Sequence, residues 1–406
     1  MKRNTDPKKI EEAVSSRFIE RIYPSKKALE DFLKSGRRMD IYIGFDPTGP
    51  ELHLGHSTNF LLLKKFQELG HKVILLVGDF TARIGDPTGK SITRRALTKE
   101  QVLENCKTYE NQASKILDFN SNANPVVIKF NSQWLSKLTL EDVIKLTAHF
   151  TVNQMIQRDM FQQRIEEKKE IYINEFLYPM LQGYDSATLG VDIEVGGTDQ
   201  TFNMLVGRDL VRIYKNKEKF VITTPLLINP KTGKKLMSKS EGGYIALNDS
   251  PQEMYGKVMA LPDEVIISCL QLCTEMPLVE IQVMEKNLKQ KQCNPRDLKI
   301  KLAKEIVSIY HGQKFALLAE KEFEKVFKDK ELPTEIPGVF VREKTLNILD
   351  LLVKTKLAAS KSEAKRLVLQ KGVRVDGAVL DDWKAVVAIK KDLVAQVGKR
   401  KVVKVI

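Results

Sequence analysis

Two histidines three residues apart, His53 and His56, lie in "FDPTGPELHLGH", where the strand-like run "DIYIG" gives way to the helical pattern "STNFLLLKKFQELG". A helix beginning near His56 would aim its free N–H groups and positive dipole end at whatever lies above the strand. That environment suits a phosphate. Gly55, between the histidines, lets a flat ligand approach the backbone closely. Further on, "GKKLMSKSEGG" is a glycine- and lysine-rich loop whose Lys235 and Lys239 could neutralise charge developing on a departing pyrophosphate. In "EFLYPMLQGYDSATLG", Tyr178, Gln182 and Asp185 are spaced i, i+4, i+7 and form one polar stripe on an otherwise apolar helix. Such a stripe should face a cavity. "GGTDQ", with Gly197, Asp199 and Gln200, reads as a turn and helix N-cap that could also meet a ligand.

These residues need a scaffold, and the chain is long enough to provide one. Its 406 residues are 42% apolar and 29% charged, which fits two or three folded domains and excludes a disordered chain. No run approaches the roughly 18 apolar residues of a membrane span. The N-terminal "MKRNTDPKKIEEAVSS" lacks the apolar stretch of a secretory signal. A cytoplasmic protein is therefore expected, with its four cysteines as thiols. Cys269 and Cys273 could meet on one helical face, but a metal site would need two more ligands, so no protein-bound metal is expected. The net charge is +14, and residues 346–406 carry 14 Lys/Arg against 6 Asp/Glu, +8 of that total. This concentration points to a polyanionic partner.

From residue 40 to about 228, strand-like runs ("DIYIGF", "KVILLVGDF", "NPVVIKF", "VDIEVGG", "FVITTPLLI") alternate with amphipathic helical stretches. That alternation predicts an α/β fold with a parallel sheet covered on both faces. Ligands bind such sheets at the strand C-terminal ends, where the His53–His56 loop and "GGTDQ" both fall. Residues 1–249 are expected to form this Rossmann-like domain, with a helical insertion near 120–180. Residues 250–328 read as a separate α-helical domain. Residues 329–345 ("DKELPTEIPGVFVREKT" with its two prolines) read as a linker. Residues 346–406 read as a small basic α+β domain: two short helices, the second N-capped by Ser360 with Glu363 three residues on, then an Asp-Gly hairpin and a closing strand.

"HLGH" and "LMSKS", in this order, resemble the two signatures of the class I aminoacyl-tRNA synthetases. "YIGFDPTGPELHLGH", "IGDPTGKS", "YPMLQGYDS", "GGTDQTFN" and "KLMSKSEGGY" are similar to blocks of the bacterial tyrosyl-tRNA synthetases, and the likeness covers nearly the whole chain. "SKSEAKRLVLQKGVRVDG" resembles a small RNA-binding module named after a ribosomal small-subunit protein. One position departs from the family: its second signature usually begins with lysine, and here Leu236 stands there, preceded by Lys234 and Lys235. Lys235 is the candidate substitute.

The resemblance implies activation of L-tyrosine by ATP to tyrosyl-adenylate and pyrophosphate, followed by transfer to the 3′ end of tRNA(Tyr). It implies that Tyr178, Gln182 and Asp86 hold the substrate ammonium, with Gln200 beside them. Tyr42 and Asp185 would take the phenolic hydroxyl. Asp46, Gly55, His56, Gly197, Asp199 and Lys239 would contact ATP. Charge on the leaving group would be stabilised by His53, His56, Lys239 and Lys235. Magnesium would arrive with ATP, and no organic cofactor is implied. Lys361, Lys365, Arg366, Lys371 and Arg374 would contact RNA phosphates, and the family implies a homodimer through the 120–180 insertion. Two rivals are a tryptophanyl enzyme, which would have no use for Tyr42 and Asp185 as hydroxyl partners, and a catalytically silent RNA-binding protein, which would have no use for the histidines and Lys239.

Overall fold

The computed structural model describes residues 3–88, 97–237, 244–327, 336–398 and 401–406. The chain divides into two compact units, Met1–Gln313 and Lys314–Ile406.

The first unit is built on six strands: β1 (Arg21–Tyr23), β2 (Asp40–Phe45), β3 (Lys72–Val77), β4 (Val127–Phe130), β5 (Ile193–Gly197) and β6 (Phe220–Thr224). Their order is β1-β6-β5-β2-β3-β4. All pairings are parallel except β1 on β6, so the sheet is mixed, with an antiparallel edge strand absent from the sequence-based expectation. From β2 the chain runs outward to β3 and β4, then returns to the other side as β5. The switch of direction between β2 and β5 opens a crevice at their C-terminal ends. Strand β3 is buried along nearly its whole length, as its continuous apolar run requires of a strand covered on both faces. The helix Ser57–Glu68 that follows β2 is apolar on most sides and correspondingly deep in the core.

The helix Ile173–Leu189 carries the polar stripe and ends at Gly190, whose φ of 61° is the left-handed C-cap. It lies very close to the helix Thr201–Lys215. A Cβ on Gly183 would come 2.8 Å from Leu210 Cδ1 and 3.1 Å from the Gly207 backbone nitrogen, so this approach needs glycine. Within the insertion, Arg164 and Glu175 are 2% and 3% exposed and form a bidentate pair at 2.5 and 2.9 Å. That pair ties the helix Asp159–Glu166 to the start of Ile173–Leu189.

Residues 250–313 are helical and belong to the compact unit that holds the sheet. Polar bonds inside this unit explain why. Thr58 Oγ1 donates to Leu272 O at 2.9 Å, and the Arg17 guanidinium donates to Thr274 O and Met276 O at 2.6 Å. Ser57 Oγ and Tyr310 Oη are also hydrogen-bonded.

The second unit contains β7 (Gly338–Val339), β8 (Thr345–Asn347), β9 (Val373–Val375), β10 (Ala378–Leu380), β11 (Val386–Ala388), β12 (Val394–Val397) and β13 (Lys401–Val405). Five of these form a sheet ordered β10-β9-β12-β13-β7, and β11 pairs with β8. The expected linker thus contributes strand β7, parallel to β13, and a buried Val341. Proline and charge content concealed this, because a two-residue edge strand leaves almost no periodic signal. The expected Ser360 cap accepts from Glu363 N at 3.2 Å, while the Glu363 carboxylate reaches back to Ala359 N at 2.7 Å. Asp376 and Gly377 both have positive φ, 49° and 81°, and turn the β9–β10 hairpin as "DG" predicts.

Because the helix–helix approach at Gly183 leaves no room for a methyl group, Gly183→Ala is expected to lower stability by about 1–3 kcal/mol. Urea unfolding of the two proteins checks this.

Candidate active site

The crevice at the β2/β5 switch point is a cavity of about 1000 Å³. Tyr42, Asp46, His53, Gly55, His56, Asp86, Tyr178, Gln182, Asp185, Gly197, Asp199, Gln200 and Lys235 all line it. Every residue singled out for amino-acid or nucleotide binding therefore opens onto one space, apart from Lys239, which lies outside the described residues. Met237 and Tyr244, the described residues on either side of that segment, also line the cavity.

The histidine loop is held by its own backbone. His53 caps the short turn Leu54–His56 that precedes the helix Ser57–Glu68. Its Nδ1 accepts from Gly55 N at 3.2 Å, and His56 Nδ1 accepts from His53 N at 3.1 Å. The His53 contact places that ring's proton on Nε2 when neutral, whereas His56 Nδ1 also lies 3.2 Å from His53 O and can accept from the one or donate to the other. The rings lie 4.0 Å apart between centroids. A Cβ at Gly55 would sit 3.0 Å from the His53 ring, so the tight turn excludes other side chains. The loop is also fastened to residues following the second signature: Leu54 N donates to Ile245 O and Leu247 N to Leu52 O, both at 2.9 Å. Burial first, and the neighbouring His53 second, push His56 well below the ordinary histidine range. That shift favours the neutral imidazole at His56.

At the deep end, Asp185 is buried and accepts from Trp134 Nε1 at 2.7 Å and Asn131 Nδ2 at 3.1 Å. Burial raises its pKa well above the usual carboxylate range, with those two hydrogen bonds opposing. Tyr42, 1% exposed, bonds Ser186 Oγ at 2.7 Å, and burial keeps it a neutral phenol. Tyr178 Oη donates to Asp46 Oδ2 at 2.9 Å, and Thr81 Oγ1 donates to Asp46 Oδ1 at 2.7 Å. Asp46, assigned to ATP by resemblance, is thus joined to Tyr178, which the resemblance assigns to the amino acid. Gln200 Nε2 donates to Asp86 Oδ2 at 2.7 Å, and Gln182 Nε2 donates to Glu194 Oε1 at 3.0 Å. Lys235 Nζ lies 2.6 Å from Asp199 Oδ2.

Sequence reasoning missed Asn131, Glu194 and Thr81, all of which line the cavity. Two left a signal. Asn131 directly follows β4, a strand end in the ligand-binding position, and Glu194 is a lone acid within an otherwise buried apolar strand.

In the second unit, Lys361, Lys365 and Arg366 lie on the helix Lys361–Leu369, Lys371 in the turn after it and Arg374 on β9; all five are exposed. Lys361 pairs with Asp350 at 2.6 Å, Lys365 Nζ sits 4.0 Å over the Trp383 ring, and Arg374 Nη1 reaches Gly377 O at 3.4 Å.

The chain matches the family model described as tRNA synthetases class I (W and Y) over residues 34–328. It matches a tyrosine–tRNA ligase SYY-like C-terminal domain over residues 323–401. The tyrosine–tRNA ligase of Thermotoga maritima is 48% identical over 93% of this chain and 92% of its own length. The chain belongs to the tyrosine–tRNA ligase family. Tyrosine–tRNA ligase 2 of Clostridium acetobutylicum is 43% identical over 98% of this chain and 99% of its own length. Among solved structures, a C-terminally truncated mitochondrial tyrosyl-tRNA synthetase of Aspergillus nidulans shares the fold, with a TM-score of 0.65 at 24% identity over 78% of this chain and 94% of that one. These likenesses bear out the expected α/β fold class and ligase activity of this ATP-dependent family; the tryptophanyl and silent readings are set aside. Among the described residues no helix is long and apolar enough to cross a membrane.

His56 takes up a proton near pH 6.5 when unfolded but resists doing so when folded, so the unfolded state binds more protons below pH 6.5. Its contribution to stability is present above pH 6.5 and lost as pH falls through that value. Urea unfolding at pH 7.5 and 5.5 should show a steeper loss in the native protein than in His56→Gln. The pH profile of kcat/KM for adenylate formation should show no inflection near 6.5 due to His56.

Proposed function

We propose that this tyrosine–tRNA ligase binds L-tyrosine in the deep end of the cavity and ATP at its mouth. Asp185 and Tyr42 would meet the phenolic hydroxyl, while Tyr178, Gln182 and Asp86 surround the ammonium, with Gln200 anchoring Asp86. The observation that carries this reading is that the amino-acid and nucleotide groups line one continuous cavity, so a carboxylate and an α-phosphate can meet without crossing solvent.

The tyrosine carboxylate attacks the α-phosphorus, the bond from that phosphorus to the α,β-bridging oxygen breaks, and pyrophosphate leaves with that electron pair. Gly55 and Gly197 let the nucleotide approach the backbone, and Asp46 and Asp199 lie along its path. The ring N–H groups of His53 and His56 would donate to phosphate oxygens. Lys235 and Lys239 would supply positive charge, with Lys235 exchanging Asp199 for the leaving group. Magnesium would enter as part of the ATP substrate. A 2′- or 3′-hydroxyl of the tRNA(Tyr) terminus then displaces AMP from the adenylate.

The basic face of the second unit would hold tRNA through Lys361, Lys365, Arg366, Lys371 and Arg374. A homodimer would form through the insertion, where Leu140, Ile144, Val152 and Ile173 are 60–80% exposed. Residues 1–249 and 250–328 would act together in catalysis and tRNA docking, and the site would work in the cytoplasm.

ATP–pyrophosphate exchange with each of the twenty amino acids tests the substrate. Tyrosine alone should drive it, and exchange driven by tryptophan or by none would overturn the reading. Lys239→Ala should slow exchange by roughly 10²-fold while leaving tyrosine binding nearly unchanged. Equal losses in both would remove the lysine from its leaving-group role. Replacing Lys365 and Arg366 together with alanine should weaken tRNA binding and flatten the log-affinity against log-salt slope by about one to two, measured by filter binding. Sedimentation should find a dimer that Ile173→Asp weakens.

A further inference from the structure

Behind the cleft floor lies a charged group that the adenylation chemistry does not use. Lys219 is 0% exposed and forms an ion pair with Glu194, itself 2% exposed. The ammonium also donates to Ser186 Oγ at 2.8 Å and stands 5.9 Å from the centre of the Tyr42 ring. The helix Thr201–Lys215 closes over this group. A Cβ on its Gly207 would lie 2.7 Å from Lys219 Nζ, 2.7 Å from Ser186 Oγ and 3.2 Å from Glu194 Oε2, so nothing but glycine fits above it.

The protons in this network can be counted. Ser186 has one hydroxyl hydrogen and two lone pairs. It donates to Glu194 Oε2 at 3.0 Å, the stronger choice because the acceptor is ionised. One lone pair receives the Lys219 ammonium. The remaining contact, Tyr42 Oη at 2.7 Å, can then be satisfied only if Tyr42 donates its proton to Ser186. Tyr42 is left with lone pairs alone to offer the cleft. Burial pulls the Lys219 ammonium below the ordinary lysine range while Glu194 opposes this, which is the balance expected of a pair kept charged by mutual contact.

We propose that Lys219 is a positioning residue for substrate selection: through Glu194 and Ser186 it sets the Tyr42 hydroxyl as a hydrogen-bond acceptor, so the site selects amino acids whose ring carries a hydrogen-bond donor at the para position. This rests on the reading that the phenolic end of the substrate meets Tyr42. Without the ammonium, Glu194 is a lone buried carboxylate and takes up a proton. A protonated Glu194 donates to Ser186, Ser186 turns its hydrogen to Tyr42, and Tyr42 points its own proton into the cleft. The polarity of the whole chain reverses.

The test compares 4-amino-L-phenylalanine, which donates at the para position, with 4-fluoro-L-phenylalanine, which does not, by kcat/KM in ATP–pyrophosphate exchange. The native protein should prefer the amino compound by about tenfold or more. Lys219→Met should shrink that ratio by at least about fivefold. The double variant Lys219→Met with Glu194→Gln leaves no buried charge, and should shrink it likewise if the single variant does not fold. A native protein that favours the fluoro compound, or variants in which both substrates lose equally and the ratio stands, would overturn the proposal. Native protein that shows no tyrosine-dependent exchange would instead overturn the tyrosine reading itself, so the two failures are distinguishable.

Discussion

Glu194 sits on a strand that is buried on both faces, and an isolated carboxylate there would cost several kcal/mol to desolvate. Lys219 is what makes the acid tolerable, and the surrounding structure is shaped around that pair. Gly207 lets a helix lie on it, Ser186 and Gln182 take its remaining hydrogen bonds, and Tyr42 stands on its cleft side. Both glycines at which the helices Ile173–Leu189 and Thr201–Lys215 approach closely therefore serve one end. They bring two backbones near enough to exclude water from a polar layer whose hydrogen-bond directions then have no alternative. A polar floor with fixed directions can reject a ring that lacks a hydroxyl, because the rejected ring leaves groups unsatisfied.

The mouth of the cleft is organised by a different device. Its histidines are fastened to their own backbone, which fixes the orientation of both rings. Of the second signature, Met237 lies beside the histidine loop, its Cβ 3.8 Å from where a Cβ on Gly55 would stand, and Ile245 O and Leu247 N bond the loop from the following stretch. Two signatures about 180 residues apart in the chain thus line one cavity, through His53 and His56 on one side and Leu236 and Met237 on the other.

Much of this was legible in the residues. The strand-to-helix placement of His53 and His56, the stripe of Tyr178, Gln182 and Asp185, and the Asp-Gly hairpin all follow from local periodicity and turn chemistry. These depend on neighbours within a few positions. What escaped depends on distant ones. Strand β1 is three residues long and finds its partner β6 some 200 positions away. Lys219 looks like one more charge in "KNKEKF", and only the fold turns it inward against Glu194. The neutrality of His56 arises from burial, which spacing does not report. Likewise the helices after residue 250 look independent by composition, yet Arg17 and Thr58 bind their carbonyls to the body of the first unit.

Strand β7 carries a practical consequence. It pairs in parallel with β13, and Val341 just after it fills part of the second unit's core. A fragment of the basic module cut at Leu346, where composition suggests a natural start, would strip one whole side of β13 of its neighbour. Bare backbone donors and acceptors along a valine-rich ribbon invite another chain to take the vacant place. Anyone isolating this module should keep the residues ahead of Gly338; otherwise self-association could be mistaken for a property of the intact protein.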